Sequence, residues 1–147
     1  MFNLKILYRK GSNENGITTQ ESYSSDFTIE NQSLLMLLTK AGSDQPDYLG
    51  CFARGWEKLN KHSLDQLLLN EPPETESGRS LIYVCPECAD IGCGAYGCKI
   101  KLVNDKYIWS DFAYENGYED PELLNDVGPF EIEASEYRSV VYSAYEL

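Results

Sequence analysis

Apolar and polar positions alternate from the first residues onward. Phe2, Leu4, Ile6 and Tyr8 fall on one side of an extended chain, and Asn3, Lys5 and Leu7 on the other. A two-residue period of this kind predicts a half-buried strand. Gly11 to Gly16 is polar and reads as a turn. Ser24 to Ile29 predicts a second strand, with Phe27 and Ile29 inward. The period then lengthens. Leu34 to Lys40 predicts a short helix capped by Asn31 or Ser33 and ended by Gly42. Pro46 to Gly50 reads as loop. Phe52, Trp56 and Leu59 recur at helical spacing, with Lys58 and Lys61 near the C-terminus, where cations are favoured. Ser63 precedes a further helix over Leu64 to Leu69.

Glu71 to Gly78, "EPPETESG", predicts a stiff acidic turn. It does not divide the chain into two domains, because roughly seventy residues on either side are few for an autonomous core. Residues 1–147 are therefore read as one domain. After this turn the period falls to two. Leu81 to Val84 is an apolar strand. Cys98, Ile100 and Leu102 alternate with Lys99, Lys101 and Val103; Asn104-Asp105 makes a two-residue turn; Lys106 to Phe112 returns. That pattern predicts an antiparallel hairpin. Glu115 to Asp126 is an acidic loop, Gly128-Pro129 punctuates it, and Ser135 to Tyr145 predicts a closing helix with Tyr137, Val140, Val141 and Tyr145 on its apolar side. The expected class is α+β: a mainly antiparallel sheet packed against several short helices.

Charge changes the picture more than composition does. The chain carries 24 acidic and 12 basic residues, a formal charge of −12. Residues 1–70 hold 8 acidic and 7 basic groups, net −1, whereas residues 71–147 hold 16 and 5, net −11. A field of this sign repels phosphate backbones and attracts basic proteins, so nucleic acid is not an expected ligand. No apolar run approaches the roughly 18 residues of a membrane span. The first residues show no charged leader followed by an apolar stretch, which reads as a cytoplasmic chain without a signal peptide.

Four of the five cysteines lie within "VCPECADIGCGAYGCKI", residues 84–100. Cys85-Pro86-Glu87-Cys88 has the spacing of one zinc knuckle. The second half does not repeat it, since Cys93 and Cys98 are separated by four residues and Cys98 opens a strand. A zinc site on Cys85, Cys88, Cys93 and Cys98 thus stands beside a plainer reading, in which Gly92, Gly94 and Gly97 turn the chain between two strands and small thiols fill space beneath. The spacing matches no ferredoxin run. A low-pKa redox pair would want a helix N-terminus, and Glu87 and Asp90 oppose thiolate formation. Gly92-x-Gly94 lacks the rest of a phosphate loop. His62 is the only histidine, which weakens hydrolase readings that pair a nucleophile with a base. The many carboxylates show neither an EF-hand spacing nor any sign of convergence on a glycosidic bond.

Aromatic residues interleave with acids between Tyr107 and Glu122. Tyrosine supplies buried area at low entropic cost and carboxylates supply specificity for Lys and Arg. The contact candidates are Asp111, Tyr114, Glu115, Tyr118, Glu119, Asp120 and Glu122.

Three segments also carry a resemblance: "YVCPECADIGCG" from Tyr83 to Gly94, "IWSDFAYEN" over 108–116 and "GPFEIEASEY" over 128–137. They resemble a family of small bacterial proteins that share a CPEC-G-D-x-GCG-like segment, a W-x-DF segment and a GPF segment, with a fainter match at Leu49-Gly50 and Trp56. Some similar small acidic proteins are encoded beside polymorphic or contact-dependent toxins as immunity proteins. The chain departs from the pattern at Ala89, where the family has glycine, and Cys98 lies outside the shared motif. The resemblance implies a non-enzymatic immunity protein, without a cofactor, that binds and neutralises a cognate toxin domain. The acidity points to a basic nuclease as that toxin.

Overall fold

The structure is a computed structural model and describes residues 1–147. The chain forms strands β1 (Phe2–Arg9), β2 (Ser12–Glu14), β3 (Ile17–Thr19), β4 (Ser22–Ile29) and β5 (Gln32–Ser33), then helix α1 (Leu34–Ala41). Strand β6 (Leu49–Gly50), helix α2 (Glu57–Leu67) and strands β7 (Ser80–Val84), β8 (Ala95–Val103) and β9 (Lys106–Glu115) follow. Short strands β10 (Glu122–Leu123) and β11 (Phe130–Glu133) lead into the last helix, α3 (Ala134–Tyr145). The class is α+β, with every strand pairing antiparallel.

Two sheets carry the fold. One runs β1-β4-β5; the other runs β6-β7-β8-β9, with β10 and β11 sharing the far edge of β9. They meet where β4 crosses the segment after β6. Ser25 N–H donates to Phe52 O at 2.9 Å, Arg54 N–H to Tyr23 O at 2.9 Å, and Gly50 N–H to Ser24 Oγ at 2.9 Å. A side chain at Gly50 would place its Cβ 1.9 Å from Ser25 O, so the crossing requires glycine.

An aromatic core fills the space between the sheets and the helices. Phe2 stacks on Phe27 at 5.3 Å, and the Trp109 ring stands edge-on to both at 5.5 Å, an arrangement favoured by ring quadrupoles. Trp109 Nε1 donates to the Tyr137 hydroxyl at 3.1 Å, which donates to Leu67 O at 2.7 Å. One buried pair of polar atoms thus ties β9 to α3 and α2. The segments of the resemblance meet here: Trp109 and Tyr137 in the core, and Phe112 edge-on to Phe130 at 5.7 Å.

Local chemistry explains the elements. Ser33 caps α1 by accepting from Met36 N–H at 3.1 Å and donates to Asp26 Oδ2 at 2.5 Å. Asn104 and Asp105 have φ of 52° and 63°, the mirror-image turn that suits the twist of a two-residue hairpin. Five readings change. Ile6 and Tyr8 are exposed, because β1 runs past the core and only Phe2 is fully enclosed. Gly11 to Gly16 is part of a small exposed hairpin, β2-β3, turned by Asn15 and Gly16 at φ of 52° and 76°. The two expected helices are one, with Ser63 buried in its middle rather than capping a second. Phe52 is buried by a bend and not by a helix. The acidic loop after β9 also contributes a short strand, β10, opposite Tyr114 and Ala113.

Candidate functional site: a thiol loop beside an acidic cleft

The chain between β7 and β8 folds back on itself and brings together three sulfurs. The thiols of Cys85, Cys88 and Cys93 all lie within 4.8 Å of one another. Cys88 Sγ and Cys93 Sγ are 3.3 Å apart. Cys85 follows the end of β7 directly, Cys88 sits on the turn, and Cys93 closes a single turn of 3-10 helix over Ile91–Cys93. Asp90 caps that turn by accepting from Gly92 N–H at 3.0 Å. Arg9 braces the loop from β1, holding Glu87 at 2.9 Å and Asp47 at 2.8 Å.

A backbone donor points at the sulfurs. Asp90 N–H donates to Cys88 Sγ at 3.4 Å. The Cys85 thiol is partly desolvated, which raises its pKa, but the nearby backbone amides of Glu87 and Cys88 and the neighbouring thiols outweigh burial and hold it below the ordinary value. Cys93 is pushed up to about 12 by hydrogen bonds with Cys88 and Cys85 and by their charge. The turn also needs Ala89 at φ 58°, the left-handed region.

Cys98 does not join the cluster. It is fully buried in β8, where desolvation keeps its thiol protonated. Cys51 is likewise buried, its thiol raised by burial to about 12. The expected four-thiol set is therefore a three-thiol set. Strand alternation decides this, since the direction of β8 turns Cys98 into the core while the loop keeps Cys88 and Cys93 exposed.

Beside the thiols lies a cleft of about 660 Å³. Its carboxylates are Glu74, Glu76, Asp90, Glu115, Glu119 and Asp120, and no Lys or Arg lines it. They come from three parts of the chain: the turn before β7, the thiol loop, and the loop after β9. Tyr118 stands on the rim at 84% exposure, and a Cβ added at Gly92 would lie 3.3 Å from its hydroxyl. The acidic loop and the thiol loop are thus in contact.

The seven contact candidates divide. Tyr118, Glu119 and Asp120 line the cleft and are exposed, and Glu122 is exposed on β10 nearby. Asp111 is exposed but outside the cleft. It has φ 54° and forms the extra residue of a β-bulge in β9, opposite Cys98. Tyr114 is half-buried, its ring edge-on to Tyr96 at 5.4 Å. Its hydroxyl occupies the space beside Gly94, where a Cβ would come within 2.1 Å. Glu115 is 6% exposed. It accepts from Ser77 Oγ at 2.8 Å and faces Arg79 Nη1 at 3.8 Å. Tyr114 is thus packed into the frame, and Glu115 is held by Ser77 and Arg79 at the wall of the cleft. Arg79 also donates to Asp111 O at 2.6 Å and so clamps the bulge.

From the sequence Glu74 and Glu76 read as solvated acids of the turn before β7, and Asp90 as a charge opposing thiolate formation. Their juxtaposition with Tyr118 is tertiary. A second buried acid was also missed. Asp26 is 1% exposed and accepts hydrogen bonds from the Tyr83 hydroxyl, Ser33 Oγ and Leu35 N–H. It is a structural hub at the start of α1. His62, whose Nε2 is 2.9 Å from Glu74 and Nδ1 3.6 Å from Glu71, belongs to a surface cluster between the middle of α2 and the acidic turn that follows it, and faces no nucleophile.

No helix is long and apolar enough to cross a membrane. Comparison with protein-family models, with curated proteins and with solved structures finds no match to this chain.

Proposed function

We propose that the protein acts by binding: its acidic cleft docks a basic protein domain, and that domain is a toxin which the protein neutralises as an immunity protein. The observation that carries this reading is the cleft lined by six carboxylates and no Lys or Arg, with Tyr118 standing free on its rim. Opposite charge steers a basic partner into the cleft and suppresses acidic competitors, while an exposed tyrosine supplies area at the centre of the contact. A basic nuclease is the partner that fits best. A surface that binds phosphate is positive, and a negative cleft complements it in the place of nucleic acid. The Tyr83–Gly94, 108–116 and 128–137 segments resemble a family of small bacterial proteins, and some similar small acidic proteins are encoded beside toxins, which supports the same reading.

The test is coexpression with the product of the neighbouring gene, once that product is shown to arrest growth on its own. The protein should restore growth, and the purified pair should form a stoichiometric complex. Replacing Glu119, Asp120 and Glu122 together by Lys should raise Kd by more than about tenfold at low salt, with the difference shrinking as salt rises. An unchanged Kd would remove the acidic loop from the interface, and failure to restore growth would remove the immunity reading.

A further inference from the structure

We propose that Cys85, Cys88 and Cys93 bind one zinc ion as thiolates, with the fourth coordination position open to solvent. The assignment stands on the loop's geometry and does not depend on the docking reading.

Three observations carry it. The first is convergence. Zinc with Zn–S bonds of about 2.3 Å holds tetrahedral thiolates roughly 3.8 Å apart. Here three sulfurs lie within 4.8 Å of one another, and one pair is at 3.3 Å. A disulfide would account for only two of the three and would leave the third sulfur's approach without a cause. The second is the backbone. Asp90 N–H donates to Cys88 Sγ at 3.4 Å. Amide donors of this kind stabilise metal-bound thiolate and orient the ligand. The third is the donor set. No carboxylate oxygen or imidazole nitrogen lies within the cluster, and all-sulfur donors exclude hard cations such as magnesium and calcium.

The open position follows from what surrounds the loop. Cys98 is fully buried in β8. Glu87 is held by Arg9 at 2.9 Å, and Asp90 Oδ1 is spent on Gly92 N–H. Cys88 and Cys93 are exposed, so a water molecule reaches the fourth site. Binding releases the three thiol protons to solvent and leaves a centre of net charge −1. Its structural effect is to join the end of β7 to the residue two before β8. Ala89, Asp90 and Ile91 belong both to that loop and to the wall of the acidic cleft, so zinc fixes that wall.

The experiment uses the full chain, purified under reducing conditions without chelator or added metal. Elemental analysis should find about one zinc per chain. Cobalt substituted for zinc should give sulfur-to-cobalt charge-transfer absorption of an intensity set by three thiolates. Cys88→Ser and Cys93→Ser, both at exposed positions that do not disturb the core, should each weaken zinc binding by more than about a hundredfold. Cys98→Ala should keep the metal and the charge-transfer band unchanged, with folding of each variant checked by circular dichroism. Three results would overturn the assignment: less than about a fifth of an equivalent of zinc together with no binding of added zinc; iron or copper in its place; or a Cys88–Cys93 disulfide in freshly reduced and re-exposed protein. Loss of the metal in Cys98→Ala would overturn the three-thiolate form.

Discussion

The sheet interior around Cys98 and the loop end around Cys93 contain the same residue types in opposite conditions. Each has a cysteine, an acid and a tyrosine: Cys98, Glu115 and Tyr137 inside; Cys93, Glu119 and Tyr118 outside. Inside, the acid and the tyrosine are answered by protein partners. Glu115 has Ser77 and Arg79, and Tyr137 has Trp109 and Leu67 O. Outside, the groups face solvent and one another. The comparison teaches that residue type does not assign a role here. What assigns it is whether the fold has already supplied the partner.

The largest expected effect tests the inside of that comparison. Arg79→Met leaves the Glu115 carboxylate buried with only the Ser77 hydroxyl, and it also removes the donor to Asp111 O. Breaking a buried pair from one side costs about 3–5 kcal/mol. Urea unfolding should show a loss of that size. The double change Arg79→Met with Glu115→Leu should recover much of it, since an apolar pair leaves no buried charge. On the outer side, Glu119→Ala should shift stability by less than about 0.5 kcal/mol. Equal effects at Glu115 and Glu119 would erase the distinction.

The same contrast marks how far the fold was legible. The Asn104-Asp105 hairpin and the helices after Ser33 and Glu133 were readable, because turn chemistry and a buried stripe are local signals. Glu115 was not. It follows Tyr114 in an acidic, aromatic stretch that reads as surface, and the bulge at Asp111 shifts which side chains of β9 turn inward. No residue near Asp111 announces that shift. The trio of thiols was half legible. The Cys85-x-x-Cys88 spacing showed one knuckle, but separating Cys93 from Cys98 required knowing where β8 begins. The cleft was least legible, because Glu74, Asp90 and Glu119 meet only through tertiary folding.

A second prediction concerns two thiols that reach the same value by different causes. Cys51 is raised to about 12 by burial, and Cys93 to about 12 by hydrogen bonds and charge from its neighbouring thiols. For Cys51 the folded pKa lies above the unfolded value of 9.0. Its contribution to stability is full below pH 9 and is lost as pH rises toward about 12. The slope for one such group is about 1.4 kcal/mol per pH unit. Cys51→Ala should therefore flatten the fall of unfolding free energy over this window, whatever its effect at neutral pH. A slope unchanged by Cys51→Ala would mean that water reaches the thiol and that the interior is less closed than its burial indicates.

A smaller effect than that of Arg79→Met comes from the outside and has the opposite sign. Ala89 sits at φ 58°, just after the second thiol of the knuckle. A non-glycine residue there carries a steric cost of about 1 kcal/mol, since its Cβ crowds the carbonyl in the left-handed region. The loop adopts this conformation despite that cost because it brings Asp90 N–H onto Cys88 Sγ, at 3.4 Å. Ala89→Gly should remove the strain, with part of the benefit offset by the greater freedom glycine has in the unfolded chain. The net expectation is a stabilisation of up to about 1 kcal/mol by urea unfolding, with the fold otherwise unchanged. Destabilisation by a comparable amount would mean that the packing of the Ala89 methyl against the smaller apolar cluster outweighs its backbone strain. The loop end would then be held by the same closed packing as the interior, and the division between the two regions would fail at the residue that joins them.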